Sequence, residues 1–435
     1  MKQGALFKSE VGAKSPILES LECPFNFLSF KRIRDESFDF RDIHGGTGVY
    51  GIHPYPAMFH FMVVRRLIKE FSEEGDLVLD PFMGSGVVGT ECLINNRRFV
   101  GYDINPLAVM IAKVRSTPLS RGILLKRLGM IEEIYRRTSP ELISFPNIHY
   151  WFKEDVINDL SKLRRVILNI EEVEIRNFFL VIFSEVIRKV SNAEYSEFKL
   201  LRRKKDRELS VIKTFIETSL KNIELMGKFY ETLSVRNADI ILEERNILNG
   251  IPLKDESVNL VITSPPYGDS KTTVAYGQFS RLSLRWLGIE ENVDKISLGS
   301  KPKNIIYNLP SEILYKVLEK IEEKDEKRAK EVFSFYEDLF NAISLIAKKV
   351  KKNGYVCFVV GNRRVKKEEL PTDKISADFF EYNGFLHQKT IVRAISNKRM
   401  PIENSPTNIK GEKDSTMRYE YIVILRKTAN GGEIL

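Results

Sequence analysis

Two short segments carry residues whose types and spacing can do chemistry. The first, DPFMGSG at 80–86, follows the apolar run LVLD and opens onto a helix-like stretch. Gly84 and Gly86 can take backbone angles that other residues avoid, and they let a ligand approach the main chain. RFVGYD comes next and ends in Asp103, whose carboxylate can accept hydrogen bonds from two ribose hydroxyls. Together these place an adenosine-containing cofactor beyond the strand ends, near a helix N-terminus. The run GSGVVG also fits the spacing of the dinucleotide fingerprint. At this point a nicotinamide cofactor competes, as does a turn that only packs a helix on a sheet.

The second segment is TSPPYGDS at 263–270, directly after the apolar run SVNLVIT. Pro265 and Pro266 fix the chain in an extended shape and remove two N–H donors, leaving carbonyls. The Ser264 hydroxyl and the Pro265 carbonyl can accept hydrogen bonds from an –NH2 group, and Tyr267 can stack on a planar ring. An exocyclic amine is a weak nucleophile because its lone pair is delocalised. Two acceptors holding its hydrogens favour a pyramidal nitrogen and aim the lone pair, so that positioning does much of the work. No cysteine nucleophile is required. A proline-stiffened turn without function is the bland alternative for the segment taken alone.

These groups need a frame, and the surrounding pattern supplies one. Strand, Gly-rich turn, helix, strand and acidic residue form a βαβ unit of the doubly wound α/β class. AMFHFMVVRRLIKEF at 57–71 has helical spacing ahead of it. GYVCFVVGN at 354–362 and EYIVIL at 420–425 read as further buried strands, with an amphipathic helix expected over 333–349. Between the two motifs lies a long charged stretch of helical pattern. The expected division is a cofactor-binding half at 30–118, a helical insertion at 119–237 and a catalytic half at 238–428.

The chain has 435 residues, 43% of them hydrophobic, enough for a large core. Lys and Arg outnumber Asp and Glu by 68 to 59, a formal net charge of +9 that fits a polyanionic partner without demanding one. Cys23, Cys92 and Cys357 are widely spaced and no Cys/His cluster has metal-ligand spacing, so no metal is expected. No signal-peptide core or membrane-length apolar run is visible, which makes a cytoplasmic protein without a membrane the expectation.

Three segments resemble the amino-methyltransferase family of DNA modification enzymes, which act on cytosine N4 or adenine N6: HPYPAMF at 53–59, DPFMGSGVVGTECLINNRRFVGYDINPLA at 80–108, and TSPPYGDS. The resemblance implies a Rossmann-like doubly wound methyltransferase sheet with a large helical insertion, S-adenosylmethionine as cofactor, and double-stranded DNA as substrate. It also implies a possible cognate restriction endonuclease. His53, Pro54, Tyr55 and Pro56 would help enclose the methionine end of the cofactor. Asp80, Phe82, Gly84, Ser85 and Gly86 would line its site, Asp103 would hold the ribose and Asn105 would stand nearby. Ser264, Pro265, Pro266 and Tyr267 would grip the target base.

Ser at the first position of the catalytic loop favours cytosine N4; adenine N6 is the alternative. An RNA base methyltransferase and a non-catalytic DNA-binding protein on the same fold are weaker competitors. The family's acidic residue at the third strand corresponds loosely to Glu244. Phosphate contact is expected from Arg202, Arg203, Lys204 and Lys205 in the cluster LRRKKDR, and from Arg281 after the catalytic loop. Solvated or half-buried packing is the alternative for these groups.

Overall fold

The apolar runs pair into one sheet, in which the strand ending in Asp80 lies between two parallel neighbours. The computed structural model describes residues 30–203, 208–233, 238–268, 274–290, 292–395, 403–404, 414–415 and 417–428. Its eight sheet strands are β1 (Arg32–Arg34), β2 (Leu77–Asp80), β3 (Arg98–Asp103), β4 (Ile240–Glu244), β5 (Val258–Thr263), β6 (Val350–Val360), β7 (Phe385–Ala394) and β8 (Tyr419–Lys427). Their spatial order is β1-β7-β8-β6-β5-β2-β3-β4. All neighbours are parallel except β8, which runs antiparallel to both β6 and β7.

Successive strand residues face opposite sides of the sheet, and here both sides are covered. Val78, Phe99, Leu260, Ile262, Cys357 and Ile422 enter one core; Leu79, Val100, Val261, Phe358 and Val423 enter the other. That double burial explains runs such as LVLD and VNLVIT, which are continuous rather than alternating in polarity. The Cys92 and Cys357 thiols are buried and free, and burial pushes both up, so neither is a nucleophile.

The first core is closed by α1 (Phe61–Phe71), α2 (Val87–Ile94), α3 (Pro106–Arg115) and the long helices between the halves: α4 (Arg121–Arg137), α5 (Glu154–Leu168), α6 (Val173–Val190) and α7 (Val211–Thr232). α6 is buried over most of its length and packs on α3, α5, α7 and α8 (Tyr276–Leu287). The insertion therefore shares the core of the sheet instead of hanging from it. Phe145 and Phe152 belong to this packing, both edge-on to the buried Trp286. α9 (Glu312–Glu322), α10 (Glu326–Lys349) and α11 (Thr372–Tyr382) cover the second core. No helix among the described residues is long and apolar enough to cross a membrane.

Two element expectations are corrected. The helix expected from Ala57 begins only at Phe61, because Ala57 sits at φ +48° and His60 is extended. The strand expected from Gly354 begins at Val350, where it pairs with Val258 of β5. In addition, α10 starts at Glu326, capped by the Asp325 carboxylate accepting from the Arg328 N–H.

Candidate functional site

The chain runs outward from β2 through β3 to β4, then returns to place β5 on the other side of β2. A crevice opens where the direction reverses, beyond the carboxyl ends of the strands. Tyr55, Pro56, Asp80, Phe82, Gly84, Ser85, Asp103, Asn105, Ser264 and Pro266 line the cleft there.

The Gly-rich turn is held by two carboxylates. Asp80 accepts from the Phe82 N–H at 3.1 Å and from the Thr263 hydroxyl at 2.6 Å. Asp103 accepts from the Gly84 N–H at 2.9 Å and the Asn105 N–H at 2.8 Å. Gly84 takes φ +50° to present that N–H. Gly86 takes φ +80°, and a Cβ there would lie 2.5 Å from Ala112 Cβ on α3. Burial pushes Asp80 up to about 7 and Asp103 up to about 6. Each carboxylate retains acceptor capacity beyond its present partners.

Asn105 caps α3 through its Oδ1, which accepts from the Leu107 N–H. Its Nδ2 donates to Tyr55 Oη at 3.0 Å and Ser280 Oγ at 2.7 Å. Tyr55 in turn stacks on Tyr276, with ring centres 5.9 Å apart. Of HPYP, Tyr55 and Pro56 reach the cleft wall, whereas His53 and Pro54 are not part of it. His53 is buried, its Nδ1 against the Pro54 carbonyl at 2.6 Å and its Nε2 against Ser184 Oγ at 2.9 Å. Burial lowers it to about 4, so it is a neutral anchor to α6. Gly86 likewise acts through helix packing behind the wall.

In the catalytic loop, Ser264 and Pro266 line the cleft while Pro265 and Tyr267 do not. The Tyr267 ring packs toward the second core, and a Cβ on Gly361 would lie 2.9 Å from it. Ser264 Oγ and Tyr267 Oη are 3.0 Å apart. Tyr267 Oη donates to Glu420 Oε1 at 3.2 Å, and Glu420 Oε2 accepts from Arg393 Nη1 at 2.5 Å. A row of hydrogen bonds thus runs from the cleft wall to an ion pair bridging β7 and β8. Asp269 and Ser270 lie outside the described residues.

Several wall residues come from outside the two motifs. Arg245, Asn246 and Ile247 enter after β4 in place of Glu244, and Asn246 Nδ2 donates to the Ile296 carbonyl. Tyr276 and Asp294 complete this side. Arg281 pairs with Asp294 at 3.6 Å, which puts it beside the cleft. Arg202 lies far along the chain from these residues, its guanidinium 4.4 Å above the Tyr150 ring, and Arg203 donates to the Ala193 carbonyl at 3.1 Å. Lys204 and Lys205 lie outside the described residues.

Comparison with known proteins gives consistent relatives. A family model described as DNA methylase, for N6 and N4 methyltransferases, matches residues 26–114 and 258–431. The type II methyltransferase M.MvaI of Kocuria varians is 38% identical over 416 residues, covering 87% of this chain and 91% of that protein. The type II methyltransferase M.BsoBI of Geobacillus stearothermophilus is 23% identical, covering 76% of this chain and 77% of its own. M.HpaI of Haemophilus parainfluenzae is 42% identical over 108 residues, 25% of this chain and 32% of that protein.

Proposed function

The chain belongs to the N6/N4 family of DNA methylases, and from that premise we propose that it methylates cytosine N4 in double-stranded DNA. S-Adenosylmethionine, the cofactor of such enzymes, supplies an electrophilic methyl group when bound. The residues present fit it. Gly84 leaves the turn without a side chain at the cleft wall, Asp103 offers acceptors for hydroxyls, and Phe82, Ile104 and Ile247 give apolar walls.

The observation that carries the reading is the placement of Ser264. It shares the cleft with Asp103 and the Gly-rich turn, and its hydroxyl is oriented from behind. Glu420, ion-paired with Arg393, accepts the single Tyr267 proton. Tyr267 Oη is then free to accept from Ser264, whose lone pairs are left for the hydrogens of an amine. The proposed second acceptor is the Pro265 carbonyl, from a residue of the same loop that does not itself line the cleft. Ser264 in this position supports cytosine over adenine. A duplex substrate requires the base to be turned out of the stack, at about a few kcal/mol, which phosphate contacts would offset.

In this reading residues 119–237 contact DNA, with Arg202 and the flanking basic positions on phosphate and Arg281 beside the target. A modification role alongside an endonuclease of the same recognition sequence is part of the proposal. The test is transfer of labelled methyl from S-adenosylmethionine to duplex DNA, with a Ser264→Ala, Tyr267→Ala double variant as control. Incorporation that the variant loses supports the assignment; equal incorporation by the variant removes the loop from the chemistry.

A further inference from the structure

Arg115 is the last residue of α3, and its side chain is completely buried. Nη2 donates to the main-chain carbonyls of Tyr50 at 2.7 Å and His53 at 2.8 Å. Nη1 donates to Ser85 Oγ at 2.7 Å and lies 3.2 Å from Met58 Sδ. Among the described residues no carboxylate pairs with the guanidinium, and its Nε has no partner. Carbonyls and a hydroxyl solvate this charge, and no described carboxylate neutralises it.

A buried cation without a counter-charge is costly, and folds do not keep one without a compensating interaction. Arginine does not escape by losing its proton: burial lowers Arg115 only to about 10. Arg188 on α6 repeats the pattern nearby. It is buried, donates to the carbonyls of Phe279 at 3.1 Å and Glu197 at 2.8 Å, and sits 4.3 Å above the Phe279 ring. Both guanidiniums act electrostatically on His53, but the buried Glu185 carboxylate acts on it more strongly in the opposite sense, so the positive charge that matters for the cleft is that of Arg115 itself.

The Arg115 charge faces the cleft from one direction. Tyr55, Met58 and Ser85 are wall residues, and Arg115 stands directly behind Ser85. Asp103, the acidic group, is on the turn that Gly84 caps. The cleft is polarised, with an acceptor for hydroxyls at Asp103 and an unneutralised cation behind Ser85. The amino-acid end of S-adenosylmethionine carries a carboxylate that would meet this cation.

Resting on the cofactor reading above, we infer that Arg115 is a positioning residue that supplies the counter-charge for the cofactor's carboxylate, acting through Ser85 without touching the ligand. A role limited to joining α3, the Gly-rich turn and the Tyr50–His53 carbonyls would affect every ligand of the cleft alike. A counter-charge role affects only ligands bearing the carboxylate.

The test is calorimetric binding of S-adenosylhomocysteine and of its decarboxylated analogue to the full chain. The wild type should prefer the carboxylate-bearing ligand by about tenfold or more, the scale of one charge pair in a partly desolvated site. Arg115→Met should collapse that preference, whereas Arg115→Lys, which keeps the charge, should retain it. A preference unchanged in Arg115→Met overturns the inference. Where Arg115→Met shows no cooperative thermal transition, the lysine variant decides: a retained preference supports the inference and a lost one overturns it. Failure of the wild type to bind S-adenosylhomocysteine at all would overturn the cofactor reading and this inference with it.

Discussion

The carboxylate of Asp80 accepts a 2.6 Å hydrogen bond from the hydroxyl of Thr263, tying the last residue of β2 to the last residue of β5. These are the strands on either side of the switch point, so one buried bond registers the Gly-rich turn against the catalytic loop. Thr263→Val keeps the volume and removes the donor. We expect a loss of about 1–2 kcal/mol in stability, because Asp80 is left buried with one partner fewer. Thermal denaturation measures the loss, and methyl transfer should fall with it. Unchanged stability would mean that the bond does not bind the two halves.

The raised carboxyl groups give a pH dependence of definite sign. Asp103 is pushed up to about 6 and Asp80 to about 7, chiefly by burial. Their native-state affinity for protons stabilises the free protein below the unfolded carboxylate range, and this contribution is lost as pH rises through 6 and 7. Ribose hydroxyls donate to the ionised form of Asp103. S-Adenosylhomocysteine should therefore bind more tightly as pH rises from about 5 to 7, with release of protons. Titration calorimetry in buffers of different ionisation heat reads both. Affinity that falls over this range contradicts the role of Asp103.

Gly86 and Gly75 share a φ of +80° but differ in surroundings. At Gly86 a Cβ would meet Ala112 at 2.5 Å, whereas at Gly75 nothing lies within 4 Å. Gly75→Ala should cost about 1 kcal/mol from backbone strain alone. Gly86→Ala adds a clash between α2 and α3 and should cost at least about 2 kcal/mol. Comparable melting temperatures for the two variants would show that the helices separate without penalty.

Tyr267→Phe and Glu420→Gln test the row of hydrogen bonds behind Ser264. Both should lower kcat, by about tenfold to a hundredfold, on the scale of losing one preorganised polar contact. Cofactor affinity should stay at the wild-type level, since neither side chain lines the cleft. A variant that loses cofactor binding but keeps kcat would place these residues elsewhere in the reaction.

Arg202 is stacked on an exposed tyrosine, Tyr150, and belongs to the proposed DNA-contacting insertion. Arg202→Ala should reduce the slope of log affinity against log salt by about 0.9, the share of one phosphate contact. An unchanged slope removes Arg202 from the interface.

Much of this architecture is legible from residue order. LVLD and VNLVIT announce strands because both faces are buried, and the glycines and prolines that follow mark where the chain must turn. The periodicity over 57–71 overshoots the helix start, since a pattern of apolar side chains does not register that Ala57 has φ +48°. Tyr267 reads as a ring available for stacking. Its hydroxyl bonds to Ser264 and Glu420 depend on β8 lying between β6 and β7, a long-range pairing that no local spacing encodes. Arg115 looks like an ordinary basic residue in the last turn of a helix. Only the fold reveals that it is buried with no carboxylate paired to it among the described residues.

Methyl transfer to cytosine N4 is decided by the identity of the product nucleoside. Duplex DNA incubated with the protein and isotope-labelled S-adenosylmethionine would be digested and its nucleosides resolved by mass spectrometry. Label in N4-methylcytosine is the predicted result. Label in N6-methyladenine would contradict the base assignment drawn from Ser264, and DNA without label would contradict the proposed reaction.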